Sequence, residues 1–328
     1  MTAVLEAGNL RVTFGSNIAA VRGISLTVNR GETHCLVGES GCGKSVTALA
    51  IMGLLPRTAR RSADVLRFRD HDFTNMTERK MARLRGDRLA MIFQEPMTSL
   101  NPAYSIGSQM AEVLERHRRV SRAAALDRAA ELLDLVGIPD ARQRLHSYPH
   151  HMSGGMRQRT MIAMALACEP DLLIADEPTT ALDVTVQAQI LELLKRLQEQ
   201  TGMSVIFITH NLGVVAEIAD RVMVMYAGRI VEEGAVVPLL THPLMPYTQG
   251  LLRSVPRLPT GGRRQGRLDA IAGSVPNPAS LPPGCSFVPR CPHAVPALCE
   301  TRLPELEPAV AGHNVRCMRW RELLAMPA

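Results

Sequence analysis

Gly38-Glu39-Ser40-Gly41-Cys42-Gly43-Lys44-Ser45 is the stretch that decides how this chain folds. It fits the pattern G-x-x-x-x-G-K-[ST] at every fixed position, and its neighbours supply the setting such a loop needs. Ahead of it, Glu32-Thr33-His34-Cys35-Leu36-Val37 reads as a buried strand; after it, residues 46–55 read as a helix stopped by Pro56. The glycines let backbone N–H groups turn inward around a polyphosphate, and the helix N-terminus adds its partial positive charge at the same point. Lys44 is then expected at the β- and γ-phosphates and the Ser45 hydroxyl on Mg²⁺.

Four further segments go beyond what a generic nucleotide binder needs. Asp171-Leu172-Leu173-Ile174-Ala175-Asp176-Glu177 is an apolar run ending in two carboxylates, so it reads as a buried strand delivering both acids to the sheet's carboxyl edge. One acid can hold the magnesium shell and the other can activate water. Met152-Ser153-Gly154-Gly155-Met156-Arg157-Gln158 sets two glycines at the start of another helix, a second anion site. Gln94 follows the strand Leu89-Ala90-Met91-Ile92-Phe93, and His210 follows the strand Ser204-Val205-Ile206-Phe207-Ile208.

In this order (phosphate loop, Gln94, Ser153-Gly154-Gly155, Asp176-Glu177, Ala181-Leu182-Asp183, His210), residues 1–255 resemble the ATP-binding subunit of an ABC transporter. Two longer strings, Ile92-Phe93-Gln94-Glu95-Pro96-Met97-Thr98-Ser99-Leu100-Asn101-Pro102 and Glu177-Pro178-Thr179-Thr180-Ala181-Leu182-Asp183, are similar to the ATPases of dipeptide and oligopeptide permeases. Met152 stands where the broad family has Leu, Met156 where Gln is common, and Asn211 where Asp is more usual after the histidine.

The resemblance implies an α/β fold: a P-loop NTPase core sheet, an antiparallel β layer and a helical subdomain, with a small Cys-rich C-terminal appendage. Residues 1–258 would form the ATPase domain, with the helical subdomain at about 95–170, and residues 259–328 the extension. It implies ATP on Gly38, Glu39, Ser40, Gly41, Cys42, Gly43, Lys44, Ser45 and Val46, with adenine stacked on Phe14, for which a core phenylalanine is the plain alternative. Mg²⁺ would be held by Ser45, Gln94 and Asp176; Glu177 would be the general base, Gln94 a γ-phosphate sensor and His210 a γ-phosphate partner. Ser153, Gly154, Gly155 and Asp183 would complete the site of a second ABC ATPase subunit, so that the active form is a dimer, expected to be a heterodimer.

Two transmembrane permease subunits and an extracytoplasmic solute-binding protein are the other implied partners, and the segment after Gln94 is where the family docks the permease. The implied function is energising import of di- or oligopeptides. Same-branch cargoes such as metal chelates, opines or glutathione are the alternative, and a soluble ABC ATPase acting on DNA or ribosomes a remoter one. That remoter class has fused paired cassettes or long coiled coils, whereas this chain shows one cassette and no sustained heptads.

Composition is consistent with this. Hydrophobic residues make up 46%, enough for a sizeable core, while aromatics at 3% leave that core to aliphatic side chains and the 17 Met. The formal charge of +6 raises nucleic acid or an anionic membrane face as partners, but the charges are interspersed and the arginine clusters at 57–61, 116–119 and 263–267 are short, so they read as solvated faces and no nucleic-acid partner is expected. No run reaches the ~18 apolar residues of a spanning helix. The first ten residues carry Glu6 and Asn9 and lack a secretory pattern, which leads to an expected place on the cytoplasmic face of the inner membrane, as a peripheral protein.

Along the chain, residues 4–28 alternate apolar and polar as antiparallel strands do. Ser121 is expected to cap a helix through Ala125, Ala129, Leu132, Leu133 and Val136, closed by Gly137 and Pro139. Residues 185–200 read as an amphipathic helix stopped by Gly202, and residues 222–234 as two strands around a tight Ala227-Gly228 turn. Beyond Val237 the texture changes: 15 of the 22 prolines lie there, which argues against long helices or central strands. Residues 260–266 read as a mobile linker.

The last segment carries four of the seven cysteines, Cys285, Cys291, Cys299 and Cys317. Four thiols in a proline-rich piece too small for its own core suggest a metal staple. The intervals lack the C-x₂-C knuckle of a structural zinc site, and peptide-permease ATPases include members with a four-iron four-sulfur cluster here, so a 4Fe-4S cluster is expected, with zinc or free thiols as alternatives. Cys42 reads as a small filler, since phosphoryl transfer needs no thiol; Cys35 and Cys168 read as core residues, and His146, His150 and His151 as surface or packing residues.

Overall fold

The computed structural model describes residues 2–15, 18–94, 99–179, 182–255 and 270–325. The expectations placed on residues 95–98, 180–181 and 260–267 lie outside the described residues. Thirteen strands are described: β1 (Ala3–Phe14), β2 (Ile18–Asn29), β3 (Thr33–Val37), β4 (Ala59–Ser62), β5 (Val65–Phe68), β6 (His71–Asp72), β7 (Leu89–Ile92), β8 (Leu172–Asp176), β9 (Ser204–Thr209), β10 (Arg221–Tyr226), β11 (Arg229–Ala235), β12 (Glu307–Val310) and β13 (His313–Val315). The helices used below are α1 (Lys44–Met52), α2 (Glu78–Leu84), α3 (Ile106–Arg118), α4 (Arg122–Leu135), α5 (Ala141–Arg144), α6 (Gly154–Leu166), α7 (Val184–Thr201), α8 (Leu212–Ile218), α9 (Val236–Thr241) and α10 (Pro246–Arg253).

The chain divides into two compact units. The first comprises Met1–Glu6, Thr27–Thr33 and Arg67–Ile208. Its centre is a parallel trio in which Leu89 pairs with Leu172 and Leu172 with Ser204, continuing to Asp176 opposite Ile208. Every residue of β7, β8 and β9 is buried, as a strand covered on both faces must be, and this is why each reads in sequence as an apolar run, interrupted only at strand ends by Asp176, Ser204 and Thr209. The helices α3 to α6 pack beside it. The Ser105 and Ser121 hydroxyls accept from the backbone N–H of Ser108 and Ala124, and Ala125, Ala129, Leu132 and Leu133 bury the inner face of α4 as expected. Gly202, at φ 69°, ends α7 in the left-handed region.

The second unit comprises Ala7–Leu26, His34–Leu66 and Thr209–Ala328. Here β3 runs parallel to β10, and β10 turns back on β11 through Ala227-Gly228, with φ 44° and 80°, the two left-handed residues a tight hairpin requires. The proline-rich tail continues this sheet outward. β13 pairs with β11 (Glu232 opposite Val315) and β12 with β13, so Pro308 sits in an outermost strand where a missing N–H does least harm. The expected Pro56 stop of α1 is pre-empted by Gly53: at φ 65° it donates to Ala50 O while Leu54 donates to Leu49 O, closing the helix at Met52. In the same unit the front strand β1 pairs antiparallel with β4, Arg11 opposite Ser62 and Phe14 opposite Ala59.

Candidate functional site

The phosphate loop lies in the second unit, between β3 and α1. Its conformation is enforced by the chain itself. Gly38 adopts φ 151°, and a Cβ there would stand 2.3 Å from the Met225 carbonyl oxygen; Gly43, at φ 108°, would meet Ala20 O at 2.6 Å. No other residue fits either place, because both obstacles are backbone. Lys44 is buried, and its Nζ donates to Gly38 O at 2.7 Å and Glu39 O at 3.1 Å, so the loop is laced by the side chain that a phosphate would recruit. Ser40 and Gly41 form the exposed crown, Ser45 and Val46 are half-buried on the first turn of α1, and Thr47 donates its hydroxyl to Gly43 O at 2.9 Å. Cys42 is buried, and burial pushes its thiol up against the opposing pull of Lys44, as befits a filler.

The loop is also held from below by residues that gave no local signal in the sequence. The Glu39 N–H donates to the Tyr247 hydroxyl at 2.9 Å, and the Glu39 carboxylate receives both terminal nitrogens of Arg290, at 2.6 and 2.8 Å. Tyr226, Tyr247 and Phe287 pack together with ring centroids 4.6 to 5.3 Å apart. Burial pushes the Tyr247 phenol well up, so its hydroxyl is a neutral acceptor for that N–H. A second buried node ties the tail down: Glu232 accepts from Leu244 and Met245 N–H at 2.6 and 3.2 Å and meets His313 Nε2 at 2.8 Å.

Phe14, also in this unit, is half-buried at the end of β1. His210 is exposed just beyond β9, and Asn211 beside it caps α8 by accepting from Gly213 N–H at 2.9 Å, which gives the asparagine that departs from the family pattern a definite local task.

The first unit holds the remaining expected residues. Asp176 is buried at the carboxyl end of β8. Glu177 follows at φ 47°, a left-handed conformation unusual for a side chain of its size, fixed by donation of its N–H to Ile208 O at 2.9 Å. Gln94 Nε2 donates to Glu177 Oε2 at 3.4 Å, so these two candidates are brought together. Ser153 caps α6, its hydroxyl accepting from Met156 N–H at 3.3 Å, and the buried Gln158 on the same helix donates to the Pro178 carbonyl, linking α6 to the turn that carries Glu177. Gly154 and Gly155 are not required by the chain's own packing: a Cβ at Gly154 would meet nothing within 4 Å and one at Gly155 only Leu182 Cδ2 at 3.5 Å. Asp183 is exposed and caps α7, accepting from Val186 N–H at 2.9 Å. The Ser45 hydroxyl and Asp176 carboxylate are hard oxygen donors of the kind Mg²⁺ prefers.

Cys285, Cys291, Cys299 and Cys317 all line one small cavity, about 20 Å³, beneath Met245 and Pro246. They are not gathered as ligands: among the described residues, no group of three or more His, Cys, Asp or Glu side chains could hold a metal ion. The expected 4Fe-4S cluster is therefore unsupported by the arrangement as it stands, since a space of this size admits about one water. Burial pushes the Cys285 and Cys291 thiols up and the Cys317 thiol up to about 12, so a metal would have to expel protons to bind. Cys35 and Cys168 are buried core residues, as expected. No described helix is long and apolar enough to cross a membrane.

Comparison with known proteins accounts for these features together. Residues 21–180 match the ABC transporter family model, and residues 231–299 match the oligopeptide/dipeptide transporter C-terminal region. The chain is 50% identical to the oligopeptide transport ATP-binding protein of Bacillus subtilis, over 98% of both chains. It is equally identical to that organism's dipeptide transport ATP-binding protein, over 97% of this chain and 95% of the relative. Among solved structures it is similar to a dimeric ATP-binding cassette in a post-hydrolysis state bound to ADP and phosphate, with a TM-score of 0.62 and 26% identity, covering 71% of this chain and 98% of the other. The loop that only glycine permits, the strand-end carboxylate pair and the C-terminal region thus have one explanation: the chain belongs to the ABC transporter ATPase family, in the branch that carries the oligopeptide/dipeptide transporter C-terminal region.

Proposed function

We propose that this ABC ATPase drives import of di- or oligopeptides through a separate membrane permease, working with a solute-binding protein and lying peripherally on the cytoplasmic face of the membrane. The observation that carries the cargo reading is the C-terminal region at residues 231–299, together with relatives named for oligopeptide and dipeptide transport that align along nearly the whole chain. Residues 1–258 act as the ATPase domain and residues 259–328 as its extension.

In this reading the loop Gly38–Val46 and Phe14 bind ATP, and Ser45, Gln94 and Asp176 hold Mg²⁺, which when bound neutralises charge building on the phosphates. Glu177 takes the proton of the attacking water, and His210 hydrogen-bonds the γ-phosphate. The Gln94–Glu177 contact supports a base kept in check until nucleotide recruits Gln94. Ser153, Gly154, Gly155 and Asp183 serve the nucleotide of a second ATPase subunit, a related chain; the two glycines have no steric task in this chain, which supports a surface shaped for something that approaches from outside. For the four cysteines the reading is a metal-stapled tail, a 4Fe-4S cluster or zinc, that would form only if the thiols close on the metal, since as they stand they line one cavity without being gathered as ligands.

The experiment is purification of the chain with its permease subunits, followed by Glu177→Gln. The variant is expected to bind MgATP, stop turning it over and accumulate as an ATP-held dimer; wild-type turnover removes Glu177 from the role of base. Peptide binding by the cognate solute-binding protein checks the cargo, with glutathione and metal chelates as competitors. Anaerobic purification checks the tail, because brown protein carries iron and sulfide while colourless protein with stoichiometric zinc excludes the cluster.

A further inference from the structure

The phosphate loop contains an acid where a polyanion is to sit. Glu39 is the second residue of the loop, and its carboxylate, 30% exposed, would raise the cost of bringing several phosphate charges onto the neighbouring N–H groups. All three of its polar groups are engaged. Lys44 takes the carbonyl, the Tyr247 hydroxyl takes the N–H, and Arg290 takes both carboxylate oxygens.

Arg290 is built for this task. Its side chain is only 4% exposed; Nε donates to Ala272 O at 2.9 Å, and the guanidinium stands 5.9 Å from the centre of the Tyr226 ring. The planar fork is thus aimed before it meets the carboxylate, which is the arrangement that makes a bidentate pair strong and Lys a poor substitute. When phosphates arrive and draw Lys44 off the Gly38 and Glu39 carbonyls, the Tyr247 and Arg290 contacts to Glu39 stay in place.

We propose that Arg290 is a positioning residue for nucleotide binding: from 251 positions away it neutralises Glu39 and holds the phosphate loop in its anion-accepting shape. The tail then contributes to ATP affinity rather than to the chemical step. This rests on the loop being the nucleotide site, and Lys44→Ala tests that separately: unchanged binding in K44A rejects the site itself, whatever Arg290 does.

The test is titration of the full chain with a fluorescent ATP analogue and Mg²⁺, and KM against kcat in the assembled transporter. R290A is expected to weaken binding and raise KM about tenfold, with kcat changed less than about twofold. R290A combined with Glu39→Gln is expected to recover most of that loss, because the charge needing neutralisation is gone. R290K is expected to bind about threefold more weakly than wild type, a lysine supplying one contact in place of a fork. Unchanged binding in R290A overturns the proposal, and so does a double variant as weak as the single one, which would mean that Arg290 only folds the tail. Should R290A fail to fold, R290K decides: unchanged affinity there overturns it, and a loss that Glu39→Gln relieves upholds it.

Discussion

Two glycine turns start helices in this chain, and they are built in opposite ways. At the phosphate loop, Gly38 and Gly43 face backbone carbonyls at distances no Cβ can share, and both take φ values that side chains avoid. At the start of α6, Gly154 and Gly155 have ordinary room around them, and neither takes a positive φ. A glycine forced by its own chain speaks of how that chain folds. One that its own chain does not need speaks of what approaches it, here the nucleotide of a partner subunit in the reading proposed above.

The contrast breaks most visibly at Gly38. Gly38→Ala puts a methyl 2.3 Å from the Met225 carbonyl, so β10 must move or the loop must change its path. The expected cost is about 3 kcal/mol or more, read as a lowered urea midpoint, together with loss of nucleotide binding. Near-wild-type stability would mean that the loop is less tightly fitted than its geometry implies.

Gly154→Ala is the opposite case. Alanine is the better helix former and finds open space, so the chain is expected to gain about 0.5 kcal/mol. Turnover in the assembled transporter is expected to fall about a hundredfold, because in the proposed reading a methyl here would stand between a helix N-terminus and the partner's phosphate and displace the reacting groups. A stabler protein with intact turnover would return Gly154 to the status of an ordinary helix residue. Ser153→Ala is expected to do less to turnover but to cost about 1 kcal/mol, since it removes the hydroxyl that accepts from Met156 N–H. The two neighbours are therefore separable by stability: Ser153→Ala lowers it along with turnover, whereas Gly154→Ala raises it while turnover falls.

What could be read from the sequence follows the same division. The phosphate loop, the strand β8 with its terminal acids, the capped helix α4 and the Ala227-Gly228 hairpin are each written in consecutive residues, as turn chemistry or an apolar period. Gly53 shows the limit of that reading: the helix ended at a left-handed glycine three residues before the proline expected to stop it, because a satisfied cap acts sooner than a steric block. What left no trace is the set of partners to Glu39. Tyr247 and Arg290 are 208 and 251 positions away, and neither sits in a pattern that distinguishes it from any other tyrosine or arginine. Glu232 and His313, 81 positions apart, escaped for the same reason. The tail read as a small appendage because it is rich in proline and carries four of the seven cysteines. Its described residues belong to the unit that carries the phosphate loop, and its strands extend that unit's sheet from β11.

The smallest expected effect is the sharpest test of how the loop is held. Tyr247→Phe keeps the ring, and with it the packing against Tyr226 and Phe287, and removes only the hydroxyl that accepts from Glu39 N–H. One part-buried donor then loses its acceptor, a loss of about 0.7 kcal/mol, which in nucleotide affinity corresponds to about threefold if the loop's shape carries the whole change. Titration with the fluorescent ATP analogue reads it, and Tyr226→Phe is the control, because its hydroxyl stands 3.5 Å from Arg290 and touches the loop only through that side chain. A threefold loss in the first variant and a smaller one in the second means that the aromatic floor holds the loop through a directed hydrogen bond. Equal affinities mean that the backbone clashes at Gly38 and Gly43, with Lys44, already fix the loop, and that the contrast between the two turns lies in their glycines alone.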